Sequence, residues 1–477
     1  MRARNSRLSV GCRLVELAAA TVVLTSASAS FAGGFATGRF GADHGNPMTA
    51  NPFAVYFNPG AVGATRGTNL TLDVSLAYRR VDYDRSVDAL SPSSSQPKGD
   101  RSYADANTGA ASAKNFAAAP YFGVTSDLGT RMFALGFASY VPYGGAASWG
   151  KADRFEGSAS VPGAVDGPQR WQIISGSQLA WYNTVAAAVK IPGSGLSVGV
   201  SASYVRHTLK TSRARNADGS DDIRDAGGGL IEGRSVLDVT GANIAVSAGV
   251  LYAPSDKLRL GLSYLSKPGF GEMRLSGELR NQVGNAQKEQ KLDVDLLQTL
   301  PDAVLLGGAV RVSPDVELRF DANMTRWSAF DRQCVVAKGK SCTTAADGSA
   351  NLDDVLVVLP RKWKDTYGAR AGASIFNEGD LEIFMSGAID TSAVPATSLD
   401  ATYPDAFKVF GTVGAKKTWA NRYSVAASYN HVYFLPVSTG AKSQNSAGQP
   451  PSRSPSSDGR YDQTIVFVNV NGTVRFQ

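Results

Sequence analysis

Gly195-Leu196-Ser197-Val198-Gly199 has the glycine spacing of a nucleophile elbow, in which a serine on a sharp strand-to-helix turn attacks an acyl carbon. Here the motif opens an alternating strand just after a turn at 192–195, and no helical periodicity follows, so it reads as the start of a strand. Gly145 to Lys151 (GAASWGK) approximates a phosphate loop. Ala152 stands where the Mg²⁺-binding Ser or Thr belongs, and again no helix follows. The chain has three histidines, His44, His207 and His431. His207 has the parity of Ser201 and Ser203, toward the lumen, whereas His431 has that of Val425 and Tyr429, toward the lipid-side rim. A barrel lipase would need a Ser–His pair on the outer face, and none is evident. No catalytic residue, metal ligand set or cofactor is expected. Cys334 and Cys342 have seven residues between them and no further Cys or His nearby. In an exported chain such a pair reads as a disulfide closing a small loop.

Export is expected from the N-terminus. Arg2, Arg4, Arg7 and Arg13 precede the apolar run 14–24, and Ser30-Phe31-Ala32 offers small residues at a cleavage site, so 1–32 reads as a signal peptide. Cys12 precedes the apolar run instead of ending it, which argues against a lipid anchor. Without this segment the formal charge falls from +7 to +4, because four Arg and one Glu leave with it. The rest alternates charge signs with no basic stripe, which excludes nucleic acid as a partner. No later segment approaches the roughly 20 apolar residues of a membrane helix.

The elements that carry these residues alternate with period two, the signature of a strand with two different faces. Leu70, Leu72, Val74, Leu76 and Tyr78 share one face; Thr71, Asp73, Ser75 and Ala77 share the other. Leu258, Leu260, Leu262 and Tyr264 oppose Arg259, Gly261 and Ser263. Val316, Leu318 and Phe320 oppose Glu317, Arg319 and Asp321, and the C-terminal stretch sets Val466, Val468 and Val470 against Asn469 and Asn471. Tight turns are expected at 126–130, 192–195, 254–257, 313–315, 377–380 and 418–421. Long polar connections are expected at 86–113, 144–170, 211–235, 270–298, 327–362, 392–405 and 436–460. Short turns on one side and long loops on the other describe an all-β transmembrane antiparallel barrel, here of fourteen strands over 68–477. Such a lumen is too wide for wall side chains to fill. Residues 33–67 lack alternation, and Phe35, Phe40, Phe53, Val55, Tyr56, Phe57 and Val62 make them too apolar for a solvated tail. They are the expected plug, with Phe35 and Phe40 as candidate ligand contacts.

Several of these stretches resemble the FadL-type family of outer-membrane transporters for fatty acids and aromatic hydrocarbons. AVYFNPGAVG (54–63) resembles its Asn-Pro-Ala hatch motif, with Gly60 in place of Ala, so Asn58, Pro59 and Gly60 would form the hatch turn. VPYGGAASW (141–149), NIAVSAGVLYAPSDKLRLGLSYLSK (243–267) and LPDAVLLGGAVRVSPDVELRFDANMTRWSAFD (300–331) are similar to family segments. So are WKDTYGARAGASI (363–375), the loop start at Asp390 to Pro395, and SYNHVYF (428–434). Their order along the chain carries the resemblance. One departure is the last residue, Gln477, which leaves Phe476 as a displaced C-terminal aromatic signal.

The resemblance implies passive transport of long-chain fatty acids or other hydrophobic molecules across the outer membrane of a Gram-negative cell. A ligand would enter among the loops, pass to an apolar pocket, and leave sideways beside a kinked strand, with hatch movement coupling the steps. An amphipathic acid needs an apolar pocket with a cation at its mouth. Arg206, Lys210, Lys267, Arg361, Lys362 and Lys364 are the candidates, although strict parity turns Arg206 outward. Expected partners are the hydrophobic ligand, outer-membrane lipid and lipopolysaccharide, with no second copy of the chain. A diffusion porin for polar solutes, or a surface receptor or adhesin without transport, are the alternatives; a plug in 33–67 favours the first reading.

Overall fold

A computed structural model describes residues 40–93, 101–130, 132–282, 289–345, 349–377 and 380–476. The expected signal segment and Phe35 lie outside the described residues. The chain forms a closed antiparallel barrel of fourteen strands. They are β1 (Thr68–Arg85), β2 (Gly109–Ser126), β3 (Phe133–Ser148), β4 (Ser175–Lys190), β5 (Leu196–Arg215) and β6 (Gly233–Ser255), followed by four strands that are each broken in two. These are β7 (Leu258–Leu265 and Met273–Gln282), β8 (Gln290–Gln298 and Ala303–Ser313), β9 (Val316–Thr325 and Arg332–Ala337) and β10 (Val355–Pro360 and Thr366–Asn377). Then come β11 (Leu381–Asp390), β12 (Lys408–Trp419), β13 (Tyr423–Phe434) and β14 (Gly459–Phe476). Closure is complete, because β14 pairs with β1 from Thr68↔Phe476 to Arg85↔Gly459. Closure joins the last strand to the first, so neither terminal strand is left as an edge in lipid.

The period-two pattern decides which side chains meet lipid. On β1, Leu72, Val74 and Leu76 are exposed while Thr71, Asp73 and Ser75 are buried against the lumen. The same rule exposes Leu260, Leu262 and Tyr264 and buries Glu317, Arg319 and Asp321. His207 is buried and His431 exposed, as their parity requires. Leu70 to Tyr78 spans about nine residues, the length that crosses a hydrocarbon core. Tyr78, Phe116 and Tyr433 close this band at the loop end, where an aromatic girdle belongs.

The six tight turns fall where expected, but two of the long connections do not exist as loops. Residues 270–298 and 327–362 contain the outer pieces of β7, β8, β9 and β10. These pieces pair with one another and with the loop end of β6, around a core that includes Leu237, Leu275, Leu279, Val294 and Leu296. All four strands break at one level. Leu265 and Thr325 both pair with Ala303, and Thr325 pairs with Thr366, so the inner pieces end in register. Pro268 and Pro301 lie in two of the gaps and Pro360 borders a third. Proline has no N–H for the ladder, which suits it to such breaks. Cys334 and Cys342 are joined by a disulfide that fastens the tip beyond β9.

Residues 40–66 lie within the barrel. Two single-turn helices, α1 (Ala54–Phe57) and α2 (Pro59–Val62), flank Asn58, whose side chain is wholly buried. Its Oδ1 accepts from the Gly60 N–H at 2.9 Å and caps α2. Its Nδ2 donates to Pro47 O at 2.7 Å and to Val250 O on β6 at 2.9 Å. The wall meets this turn as bare backbone: a Cβ at Gly249 would overlap Asn58, and one at Gly261 would overlap Pro47 O. Ser197 donates to Gly60 O at 2.7 Å, Ser263 to Phe57 O at 2.6 Å and Tyr121 to Pro52 O at 2.6 Å. On the opposite wall Asp43 meets Arg370 at 3.4 Å and Arg319 at 3.7 Å, and His44 Nε2 lies 3.0 Å from Glu382.

Candidate functional site

A cavity of about 220 Å³ lies in the lumen above this segment. Phe40, Tyr56 and Phe57 form its floor, and side chains of most strands form its wall. One side is apolar, with Phe410, Val432, Phe434, Ile465 and Phe467. The other carries Asp321, Asn323, Arg370 and Asp390. Both faces follow from inward-pointing residues, since every second position on β9 to β14 must fill the lumen. Lys408 lines the cavity too. Its Nζ lies 3.0 Å from Asp405 and 5.5 Å from the centre of the Phe434 ring.

Aromatic side chains run without interruption from the floor to the loop end. Phe40 packs on Tyr140 at 5.6 Å between ring centres, Tyr140 on Tyr182 at 5.7 Å, and Tyr182 on Tyr143 at 6.2 Å. Tyr143 meets Trp327 at 6.2 Å, Trp327 meets Trp363 at 5.1 Å, and Trp363 meets Tyr403 at 5.8 Å. Arg361 then sits over Tyr403 at 4.8 Å. Trp327 and Trp363 come from the broken levels of β9 and β10, so the breaks turn large rings into the lumen. These rings belong to one apolar core that reaches from the cavity to the loop end, and of them Phe40, Tyr143 and Trp327 border the cavity itself.

The barrel wall is interrupted beside the cavity. The β2–β3 ladder runs from Ser126↔Leu135 to Tyr121↔Tyr140 and stops there. Beyond Tyr140, β3 passes through Val141 and Pro142, shifts register against β4, and faces 114–120 of β2 without ladder pairing. The interruption closes at the loop end, where Ser148 N donates to the Asn115 side chain at 2.9 Å and Ala113 bridges Trp149. Pro142 and Tyr143 line the cavity from this side. Across the interruption, β2 presents the small residues Ala117, Ala118 and Ala119, with Phe116 pointing outward at 73% exposure.

Long connections cover the loop end around buried ion pairs. Arg85 meets Asp221 at 2.7 Å, and Tyr103 and Asn107 also bind Asp221. Arg170 holds Glu232 at 3.0 Å, while Arg234 joins Glu232 at 2.7 Å to Asp166 at 2.6 Å. Burial would raise the Glu232 carboxyl, but Arg170 and Arg234 outweigh it and hold the group below its ordinary value. Asp166 is lowered likewise, with burial offset by Lys151 and Arg234.

None of the six cations singled out by sequence lines the cavity. Arg206 and Lys210 point outward from β5, and Lys210 pairs with Asp238 at 3.1 Å on the same outer face. The strand there is free of bulges, so parity holds and neither side chain reaches the lumen. Lys267 lies half-buried at the β7 break, and Lys362 and Lys364 are exposed beside the β10 break. Arg361 alone of the six is buried in the interior, with 3% exposure; it holds Asp400 at 2.7 Å and donates twice to Gln333. Phe40 is on the cavity floor. No local motif singles out Lys408 or the row of rings, although Trp327 and Trp363 lie in the family-like segments 300–331 and 363–375.

The family model described as "Outer membrane protein transport protein (OMPP1/FadL/TodX)" matches residues 17–476. A search of curated protein sequences gives no match. Among solved structures, a FadL homologue of Pseudomonas aeruginosa is similar at TM-score 0.71 and 15% identity, over 94% of this chain and 98% of that one. The toluene transporter TodX of Pseudomonas putida gives 0.60 at 14% identity, over 95% and 100%. The toluene transporter TbuX of Ralstonia pickettii gives 0.58 at 15% identity, over 90% and 94%.

Proposed function

The chain belongs to the OMPP1/FadL/TodX family of outer-membrane transport proteins for hydrophobic compounds, a family of channels and not of enzymes, and from that premise we propose its substrate and route. The substrate is a long-chain fatty acid or a comparable hydrophobic molecule, and the membrane is the outer membrane of a Gram-negative cell. It enters from the loop end and follows the aromatic path to the cavity above 40–66. It leaves sideways through the interruption between β2 and β3, and movement of the plug governs the passage. Lys408 is the cation placed to receive a carboxylate, because it stands at the apolar wall formed by Phe434 and its neighbours. No energy source is needed, since the substrate moves down its own gradient. An open porin for polar solutes would need an unobstructed lumen, which the packed segment 40–66 argues against.

The observation that carries this reading is the pairing gap beside an aromatic-lined cavity. Lipid mass spectrometry of the full chain purified in mild detergent should find a co-purified hydrophobic ligand. Ala118→Trp, which puts a large ring at the β2 edge of the gap, should cut uptake of labelled oleate severalfold at matched amounts of folded barrel. Undiminished uptake in that variant would rule out the lateral exit.

A further inference from the structure

The loop end holds a second group of cations that the cavity does not use. Arg213 and Arg215 stand two apart near the end of β5, beneath the connection 439–458. With Arg453 of that connection, and with Trp171, Pro451 and Ser454, they line one small cavity. Arg215 donates to Leu356 O at 2.8 Å. Among the described residues the Arg213 side chain makes no hydrogen bond or ion pair, although its backbone pairs with Ser235 in the β5–β6 ladder. Arg453 Nε is buried with no hydrogen-bond partner.

Arg215 and Arg361 both repel the Arg213 guanidinium, and the carboxylate acting on it, Asp400, is already held by Arg361 at 2.7 Å. Arg213 thus faces two other guanidiniums and one carboxylate that is already engaged. Arg213, Arg215 and Arg453 are half-buried, and like charges crowded together in partial contact with water repel one another, so an entering anion relieves that repulsion and supplies the acceptor that Arg453 Nε lacks. The space between them, about 10 Å³, admits one oxygen-sized group. Arg361 stacks on Tyr403, where the aromatic path begins, so an anion here would leave an attached apolar tail at the head of that path.

We propose that Arg213, Arg215 and Arg453 form an oxyanion site at the loop end, which holds the anionic head of an incoming amphiphile before it descends to the cavity. The proposal rests on the transport reading above, and adds that anionic amphiphiles are selected at the entrance. The same chemistry could instead serve a free oxyanion such as phosphate.

The test is calorimetry on the full chain in a neutral detergent, with dodecanoate, dodecanol and inorganic phosphate as separate probes. One charge-assisted hydrogen bond is worth on the order of a tenfold change in affinity. Arg213→Gln should lower the dodecanoate-to-dodecanol affinity ratio about tenfold, and Arg213→Lys should restore part of it. If the variant instead loses phosphate binding with the ratio unmoved, the site is an oxyanion site for a free ion, which supports the chemistry and reassigns the source. An unchanged ratio with unchanged phosphate binding overturns the proposal. Equal loss of dodecanoate and dodecanol also overturns it, because the role would then be structural. Wild-type protein that binds neither amphiphile would defeat the transport reading itself, and this site with it.

Discussion

Asn58→Ala should loosen the plug without preventing the barrel from closing. The side chain makes three hydrogen bonds in a fully buried setting: from Gly60 N at 2.9 Å, and to Pro47 O at 2.7 Å and Val250 O at 2.9 Å. A typical buried bond contributes about 1 kcal/mol net, and stranding its partner costs more, so the loss is about 3–4 kcal/mol. The part of that loss which falls on docking shifts the docked-to-undocked ratio by up to a few hundredfold. Docking is not abolished, because Ser197, Ser263 and Tyr121 still hold the segment's backbone. The fraction of time spent conducting small ions in a planar bilayer should therefore rise by about one to two orders of magnitude. Uptake of labelled oleate should fall in the same variant, since Phe40, Tyr56 and Phe57 no longer form a fixed floor. Deleting 33–50 should give the same two changes and raise permeability to a hydrophilic antibiotic. Wild-type conductance together with wild-type uptake would refute the reasoning and leave the segment a passive filler.

Gly261→Val should act like Asn58→Ala, because its side chain collides with Pro47 O; unaltered conductance would show that the wall yields there. Replacing Cys334 and Cys342 by Ala frees a loop of nine residues and should leave barrel melting nearly unchanged, since the constraint is local; mass mapping without reductant checks that the native pair is bridged. Glu232 and Asp166 are held below their ordinary values, so their contribution is full above those values and is lost as pH falls through the lowered ones. Proteolysis of the 149–174 connection should accordingly accelerate in strong acid, well below pH 4, and equal rates at neutral and strongly acidic pH would contradict the ion-pair account.

The barrel was legible in the sequence because lipid on one side and water on the other impose a strict period of two. Leu70 to Tyr78 and Val466 to Val470 obey it without exception, and the turns between strands are short and polar. The broken strands were not legible. Their outer pieces, such as Gln290–Gln298 and Val355–Pro360, bury side chains on both faces against loops and one another, so alternation disappears and the stretches pass for connections. The plug was recognisable from its apolar content, and Asn58 from its place before Pro59. The cavity was hardly legible at all. Lys408 comes from one strand, Trp327 and Trp363 from two others, and Phe40 from the plug, so only closure brings them together. Sequence pointed to Lys362 and Lys364 because they cluster along the chain, yet a cluster beside a break splays toward water.

The common level at which β7, β8, β9 and β10 break has a consequence for tolerance to change. In an unbroken strand, adding or removing one residue exchanges the lipid-facing and lumen-facing sets for the whole length beyond it. Here the irregular stretches 266–272, 299–302, 326–331 and 361–365 can absorb such a shift, because no ladder carries parity across them. The inner and outer pieces of these four strands are thus insulated from each other in register, while the unbroken β6, which pairs at both levels, ties the outer sheet to the membrane portion. The outer sheet can gain or lose residues, and so remodel the entrance, while every inner piece keeps its leucines toward lipid and its polar side chains toward the lumen.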